Sequence, residues 1–223
     1  MLHLLRDVLA LPRCTGCGAH GPEWCDRCAL RLPEVRWHRI DVELPLCTAF
    51  QYDGPVRKTI VDWKEHQHAA ARARVRNWFH VGLRPLIDQM PNLRCVPIPS
   101  SPTNDRLRGG AVLTEVLRAT GLPVSDALVA ARVRKDQAGL ARVERERNLH
   151  NAFAWHGSDG APVLLVDDVV TSGATMRSAA RAVHAGGGHV WAGFGLARRG
   201  RLATIQSTQE GLAWGNPMQG GTP

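Results

Sequence analysis

What the sequence lacks narrows it first. No apolar run in its 223 residues approaches the roughly 20 that a membrane-crossing helix requires, which excludes a helical membrane span. The leading stretch, Met1 to Leu11, has no unbroken apolar core, because His3, Arg6 and Asp7 interrupt it. It reads as a short amphipathic helix rather than an export signal, so the protein is expected in the cytoplasm with no membrane insertion. Internal repeats are absent apart from a doubled Cys-x-x-C. Lysine is scarce: only Lys58, Lys64 and Lys135 are present, so arginine carries the net charge of +8. A basic balance favours polyanionic partners such as phosphates, nucleotides or nucleic acid. A genome-wide bias towards arginine would leave the same mark.

What is present is ordinary for a globular chain. With 44% hydrophobic and 22% charged residues, the length has room for one α/β domain and a small appendage. The appendage is expected over residues 1–45. Cys14-Thr15-Gly16-Cys17-Gly18 and Cys25-Asp26-Arg27-Cys28 can each fold as a thiolate knuckle, and Gly18 permits the tight turn after the second sulfur. Cys14, Cys17, Cys25 and Cys28 together offer closed tetrahedral ligation of a structural zinc ion. A pair of redox disulfides, or four unrelated buried thiols, would not explain two such units so close together in a cytosolic chain. Cys47 and Cys95 stand alone beside apolar residues and read as buried thiols.

Residues 29–46, with Pro33 and Pro45, read as a link to a main domain over 46–200. Thr48 to Tyr52 is an expected strand, Gly54-Pro55 a turn, and Val56 to Ile87 largely helical with Lys64, His66 and His68 between two halves. His66 and His68 are two apart and would diverge on a helix, so they read as a solvated face. Arg94 to Pro99 is a short strand whose prolines put it near an edge or a functional loop. Ser100, Ser101, Arg106, Arg108, Gly109 and Gly110 follow, ahead of a helix over 111–119. Leu128 to Val133 is a further strand, and Arg134 to Asn148 a solvated helix of mixed charge. Gly186-Gly187-Gly188 makes a turn into a strand from His189 to Leu196, which Arg198, Arg199 and Arg201 follow. Residues 201–223 are a tail, expected to be partly disordered.

The chain is organised around Val163-Leu164-Leu165-Val166-Asp167-Asp168-Val169-Val170-Thr171-Ser172-Gly173-Ala174-Thr175. The four apolar residues read as a buried parallel strand with two carboxylates at its C-terminal end, where open α/β sheets bind ligands. The loop of small and hydroxylated residues then enters a helix, Thr175 to His184. Backbone N–H groups and the positive end of the helix dipole there suit an anion. A phosphate on the loop and a polyol or metal-bound sugar on the carboxylates would satisfy both halves. The plain alternative is a strand end whose two Asp residues cap the loop.

These thirteen residues resemble the phosphoribosyl-pyrophosphate (PRPP) signature of type I phosphoribosyltransferases. The resemblance implies a type I phosphoribosyltransferase-like parallel sheet flanked by helices, preceded here by a small zinc-binding module. It implies that Asp167 and Asp168 serve catalysis by holding ribose hydroxyls and magnesium. It also implies that Val169, Val170, Thr171, Ser172, Gly173, Ala174 and Thr175 complete the PRPP site. Ser100, Ser101, Arg106 and Arg108 would then hold pyrophosphate, a reading that weighs equally with an ordinary basic surface loop.

The order of parts is similar to the ComF family, phosphoribosyltransferase-like proteins associated with natural competence. Its other marks are Tyr52-Asp53-Gly54-Pro55-Val56-Arg57 leading to Lys64, Val96-Pro97-Ile98-Pro99 leading to Arg108-Gly109, and Gln137-x-x-Leu140 with Arg145-x-x-Asn148 leading to Phe153. Gly110, Ala111 and Val112 depart from it, standing where the family usually continues with an aromatic or apolar residue and Asn-Gln. The resemblance implies handling of single-stranded DNA in DNA uptake, with competence-machinery proteins as partners. An active enzyme moving ribose 5-phosphate from PRPP to a nucleobase is the alternative, although no dedicated general acid or base-specific pocket is legible. Seven tryptophans could stack on a single strand, or pack the core as tryptophans in strands and helices commonly do.

Overall fold

A computed structural model describes residues 13–14, 16–22, 25–29, 36–39, 44–100, 111–131 and 152–200. The expected N-terminal helix, the loop over 101–110, the polar stretch over 132–151 and the tail over 201–223 lie outside the described residues.

The central strand β6, Val163–Val170, is twice as long as its apolar run. Val169 and Val170 keep pairing, with Ala197 and Arg198 of β7 (Val190–Arg198), as β-branched residues favour. The carboxylates therefore sit inside the strand's C-terminal half instead of after it. Val163 to Val166 are buried because helices cover both faces of a parallel sheet.

Around β6 the sheet runs β1-β2-β7-β6-β3, with β1 at Arg36–Arg39, β2 at Pro45–Gln51 and β3 at Arg94–Pro97. All neighbours pair in parallel except β1, which lies antiparallel on β2. The stretch expected as a link thus contains an edge strand of the main sheet. Beyond β3, Val124 bridges Cys95, so the proline-flanked strand is next to an edge.

Strand alternation sorts the core into two layers. Leu164 and Val166 face helices α2 (Gly54–Lys64), α3 (Ala69–Gln89) and α4 (Val112–Arg118). Val163 and Leu165 face α5 (Ala174–Ala185) and the antiparallel ribbon of β4 (Leu128–Ala130) and β5 (Phe153–Trp155). Trp63 and Trp78 are fully buried in the first layer, which assigns these two to packing rather than to stacking on a ligand. The glycine triplet does more than turn the chain: a Cβ on Gly186 would come within 2.8 Å of the Trp155 ring, so the turn seats that indole.

Pro55 in the first turn of α2 needs no N–H there, which is why Gly54-Pro55 opens a helix. The break between α2 and α3 spans Glu65 to His68, with Gln67 at a φ of 50° and both His66 and His68 exposed. Among the described residues, no helix is long and apolar enough to cross a membrane. The architecture is a parallel sheet flanked by helices, preceded by a four-cysteine cluster.

Candidate functional site

Two candidate sites lie among the described residues. In the first, Gly18 adopts a φ of 76°, and its N–H donates to the Cys14 carbonyl at 2.7 Å while the Cys14 N–H donates to Ala19 at 2.8 Å. That is the tight turn a knuckle needs. The second knuckle closes where the Cys28 N–H donates to the Cys25 carbonyl at 2.9 Å, in the short helix α1 (Asp26–Ala29, the first element among the described residues). The four sulfurs lie within 4.8 Å of one another, and those of Cys17 and Cys25 are 3.7 Å apart. A tetrahedral zinc ion with Zn–S bonds of about 2.3 Å would hold its sulfurs about 3.8 Å apart. The four cysteines are therefore arranged to bind a metal ion.

Their environment already favours thiolate at two positions. Burial opposes ionisation of Cys14, but the N–H groups of Cys25, Cys17 and Gly16 outweigh it and lower its pKa to about 6. The backbone at Ala19 lowers that of Cys17 despite partial burial, and Arg27 adds its guanidinium. Burial, with competition from the other three sulfurs, pushes Cys28 up to about 12. A bound cation would relieve that competition. Arg74 of α3 is buried enough to lower its pKa, yet the charges of Cys14 and Cys28 act on it in the opposite sense. The cluster is therefore within electrostatic reach of Arg74 on α3. By contrast, burial alone raises Cys95 to about 12, and Cys47 is raised for the same reason, so these two are inert thiols.

The second site lies where β6 passes into α5. Gly173 takes a φ of 74° and ψ of 4°, a left-handed conformation that a side chain disfavours, and this turns the chain from strand to helix. Val170 is still in the sheet, its carbonyl accepting from the Arg199 N–H at 2.8 Å, so the loop is only three residues long. Thr171, Ser172 and Thr175 are exposed. The first-turn amides of α5 have no acceptor within their own helix, and the Ala174 N–H reaches a side chain, Ser172 Oγ at 3.4 Å. Arg177 folds back from the second turn and donates through Nη1 to the Ser172 carbonyl at 3.0 Å. Hydroxyls, amides and the helix dipole thus meet at one open place that suits an anion.

One turn away, Asp167 accepts the Asp168 N–H on Oδ1 at 2.8 Å. Burial, then the neighbouring Asp168 charge, raises the Asp167 pKa well above the usual carboxylate range, while Lys64 acts against this. Asp168 is only 4% exposed and shares its strand face with Leu164 and Val166, towards α2. Lys64, the last residue of that helix, forms an ion pair with Asp168 Oδ2. The sequence placed Lys64 in a helical break and at the end of one segment of the family resemblance, and no local signal pointed to the carboxylate that it meets.

Other expected site residues divide by location. Ser100 is half-buried at the rim of a cleft of about 490 Å³ at the C-terminal end of β3, lined by Pro97, Pro99, Thr114, Leu128 and Val129 among others. Ser101, Arg106 and Arg108 lie outside the described residues. Arg198 is engaged at the sheet: the Gln51 side-chain amide, in the orientation that satisfies both groups, donates to its carbonyl at 3.1 Å and accepts from its guanidinium at 2.7 Å. Arg199 is exposed, and Arg201 lies outside the described residues.

No family model matches the chain, and no curated protein does. Among solved structures it is similar to an adenine phosphoribosyltransferase from Leishmania tarentolae, at 13% identity over 74% of this chain and 100% of that one, with a TM-score of 0.38.

Proposed function

We propose that this chain is a phosphoribosyltransferase-like protein of the ComF type that binds PRPP or a related ribose 5-phosphate. The observation that carries the reading is the left-handed turn at Gly173, which sets three exposed hydroxyls and the N-terminus of α5 beside Asp167 and Asp168. The loop takes the 5′-phosphate, and the carboxylates take the ribose hydroxyls. Carboxylate oxygens suit a hard cation such as magnesium, and the buried charge at Asp168 already demands a positive partner. Magnesium bound with PRPP would offset the charge of the pyrophosphate. Zinc is the metal proposed for Cys14, Cys17, Cys25 and Cys28, on sulfur spacing and thiolate chemistry.

The cellular role follows from the ComF resemblance: handling single-stranded DNA during natural competence, in the cytoplasm, beside competence-machinery proteins. The net charge of +8 supports a polyanionic partner. If arginines contact phosphates, log affinity for single strands falls linearly with log salt, by about 0.7 per contact. The deciding experiment for the site is calorimetric titration with PRPP and magnesium, repeated with short single strands. Failure of the parent chain to bind PRPP ends the reading.

One observation favours an active enzyme as a second reading. The cleft lies at the C-terminal end of β3, the strand that pairs with β6, and its volume of about 490 Å³ falls within the usual range for small-molecule pockets. A nucleobase held there could displace pyrophosphate from C1 of PRPP, with phosphate binding energy used for positioning. Base-dependent release of pyrophosphate tests it.

A further inference from the structure

Asp168 presents an unusual problem for a carboxylate. It is almost wholly buried in the face of the central strand, and its Oδ2 meets the ammonium of Lys64. Among the described residues, the ion pair with Lys64 is its one charge partner. A buried carboxylate without a cation is strongly unfavourable, whereas the same group paired is tolerated. Lys64 is differently placed: its side chain is 24% exposed, at the end of α2 and on a four-carbon stem. One partner is fixed in the sheet, and the other has a route to water.

We propose that Lys64 is the resident counter-cation of the ribose-phosphate site. It occupies, in the ligand-free protein, the position at Asp168 that a divalent cation or its bound water takes when the site fills. Lys64 then exchanges with the incoming cation and turns towards solvent. This inference rests on the reading of Asp167 and Asp168 as the sugar- and metal-binding pair. It adds that cation entry is a competition with a side chain of the same chain. The consequence is that a divalent cation alone binds the parent poorly, because it must displace Lys64. Ligand and metal together succeed because the ligand's phosphate supplies a new partner for the released ammonium.

The test needs no sugar phosphate. Thermal unfolding is followed for the parent, Lys64→Met, Lys64→Arg and the Lys64→Met/Asp168→Asn double variant, each with and without millimolar magnesium or manganese. Lys64→Met leaves a buried charge unpaired, so its Tm is expected to fall by roughly 10 °C. Divalent cation should restore at least half of that loss while moving the parent by no more than a degree or so, since stabilisation follows binding to the folded form. Lys64→Arg keeps the charge and should behave as the parent. The double variant has no charge to neutralise and should lose the response to metal. Equal responses of the parent and Lys64→Met overturn the proposal. So does a Lys64→Met chain that no divalent cation refolds, or a Lys64→Arg chain that unfolds with it. PRPP titration of the parent separates the two ideas. Binding of PRPP without a metal response in Lys64→Met leaves the site reading standing and removes Lys64 from it. A metal response without PRPP binding does the reverse.

Discussion

The four-cysteine cluster and the β6–α5 turn are the two candidate ligand sites, and they are held together in opposite ways. Among the described residues before β1, the buried apolar side chains are those of Cys14 and Cys28, and the four sulfurs crowd one another. A cation bound by the four sulfurs would relieve that crowding and add to the order of the segment. The turn at Gly173 is different. It is suspended between a strand with Val163 to Val166 at 0–1% exposure and a helix whose Met176, Ala179 and Val183 are fully buried. At the cysteines a bound metal would help to hold the structure, whereas at the turn the packing of strand and helix positions the donor groups by itself.

The largest expected effect therefore falls on the module. Cys14→Ser or Cys25→Ser should release the metal and unfold residues 13–29, because structural zinc contributes on the order of 10 kcal/mol to such units. Hydrogen exchange should show β6 and β7 still protected. A purified chain that is metal-free, reduced and protected over 13–29 would break the contrast, since the module would then have a core of its own.

Asp168→Asn comes next and acts on the other side of the comparison. The fold should survive, since Lys64 can turn to water, but charge-assisted hydrogen bonds to ribose hydroxyls or metal waters are lost. At roughly 1.5–3 kcal/mol each, the loss in PRPP affinity is at least tenfold by calorimetry with magnesium. Binding as tight as the parent's would reduce the signature to a strand end.

Asp167 sharpens the comparison through pH. Burial raises its folded pKa above the unfolded value, so the folded state holds the proton more tightly. Its contribution to stability is present below the unfolded pKa of about 4 and is lost as pH rises through the folded value. Asp167→Asn, which still accepts the Asp168 N–H, should therefore raise Tm at neutral pH without metal and flatten that part of the pH profile. A lower Tm at neutral pH would show that the ionised carboxylate is stabilising.

Thr175→Val removes one exposed hydroxyl while the loop amides remain. One neutral hydrogen bond is worth about 1 kcal/mol, so PRPP binding should weaken about fivefold. The smallest effect is that of Asp159→Asn, whose carboxylate makes an exposed 3.5 Å pair with Arg94 ahead of β6. Stability should change by less than about 0.5 kcal/mol and binding not at all.

Features confined to a dozen residues were legible without coordinates. Two Cys-x-x-C units with a glycine after the first announce their knuckles, because turn geometry is a local requirement. An apolar run and a Ser-Gly step announce strand and helix start, because burial and left-handed backbone each restrict residue type. Gly54-Pro55 opened a helix for the same kind of reason. The limits of β6 were less legible, since Asp167 and Asp168 look like a stop signal and only pairing with β7 carries the strand through them. Short β1 and β5 left no periodic pattern to read.

By itself, then, the sequence determined the four-cysteine cluster, the helix-forming stretches and the parallel character of the central strand. These depend on each residue's own polarity and conformational preference. Only the tertiary structure decided that a strand from the expected link joins the sheet, that Arg74 lies near the cysteines, and that Lys64 meets Asp168. Those meetings join residues far apart in the chain. They depend on how the layers pack, because a buried charge must find its partner in space, and spacing along the sequence does not specify that partner.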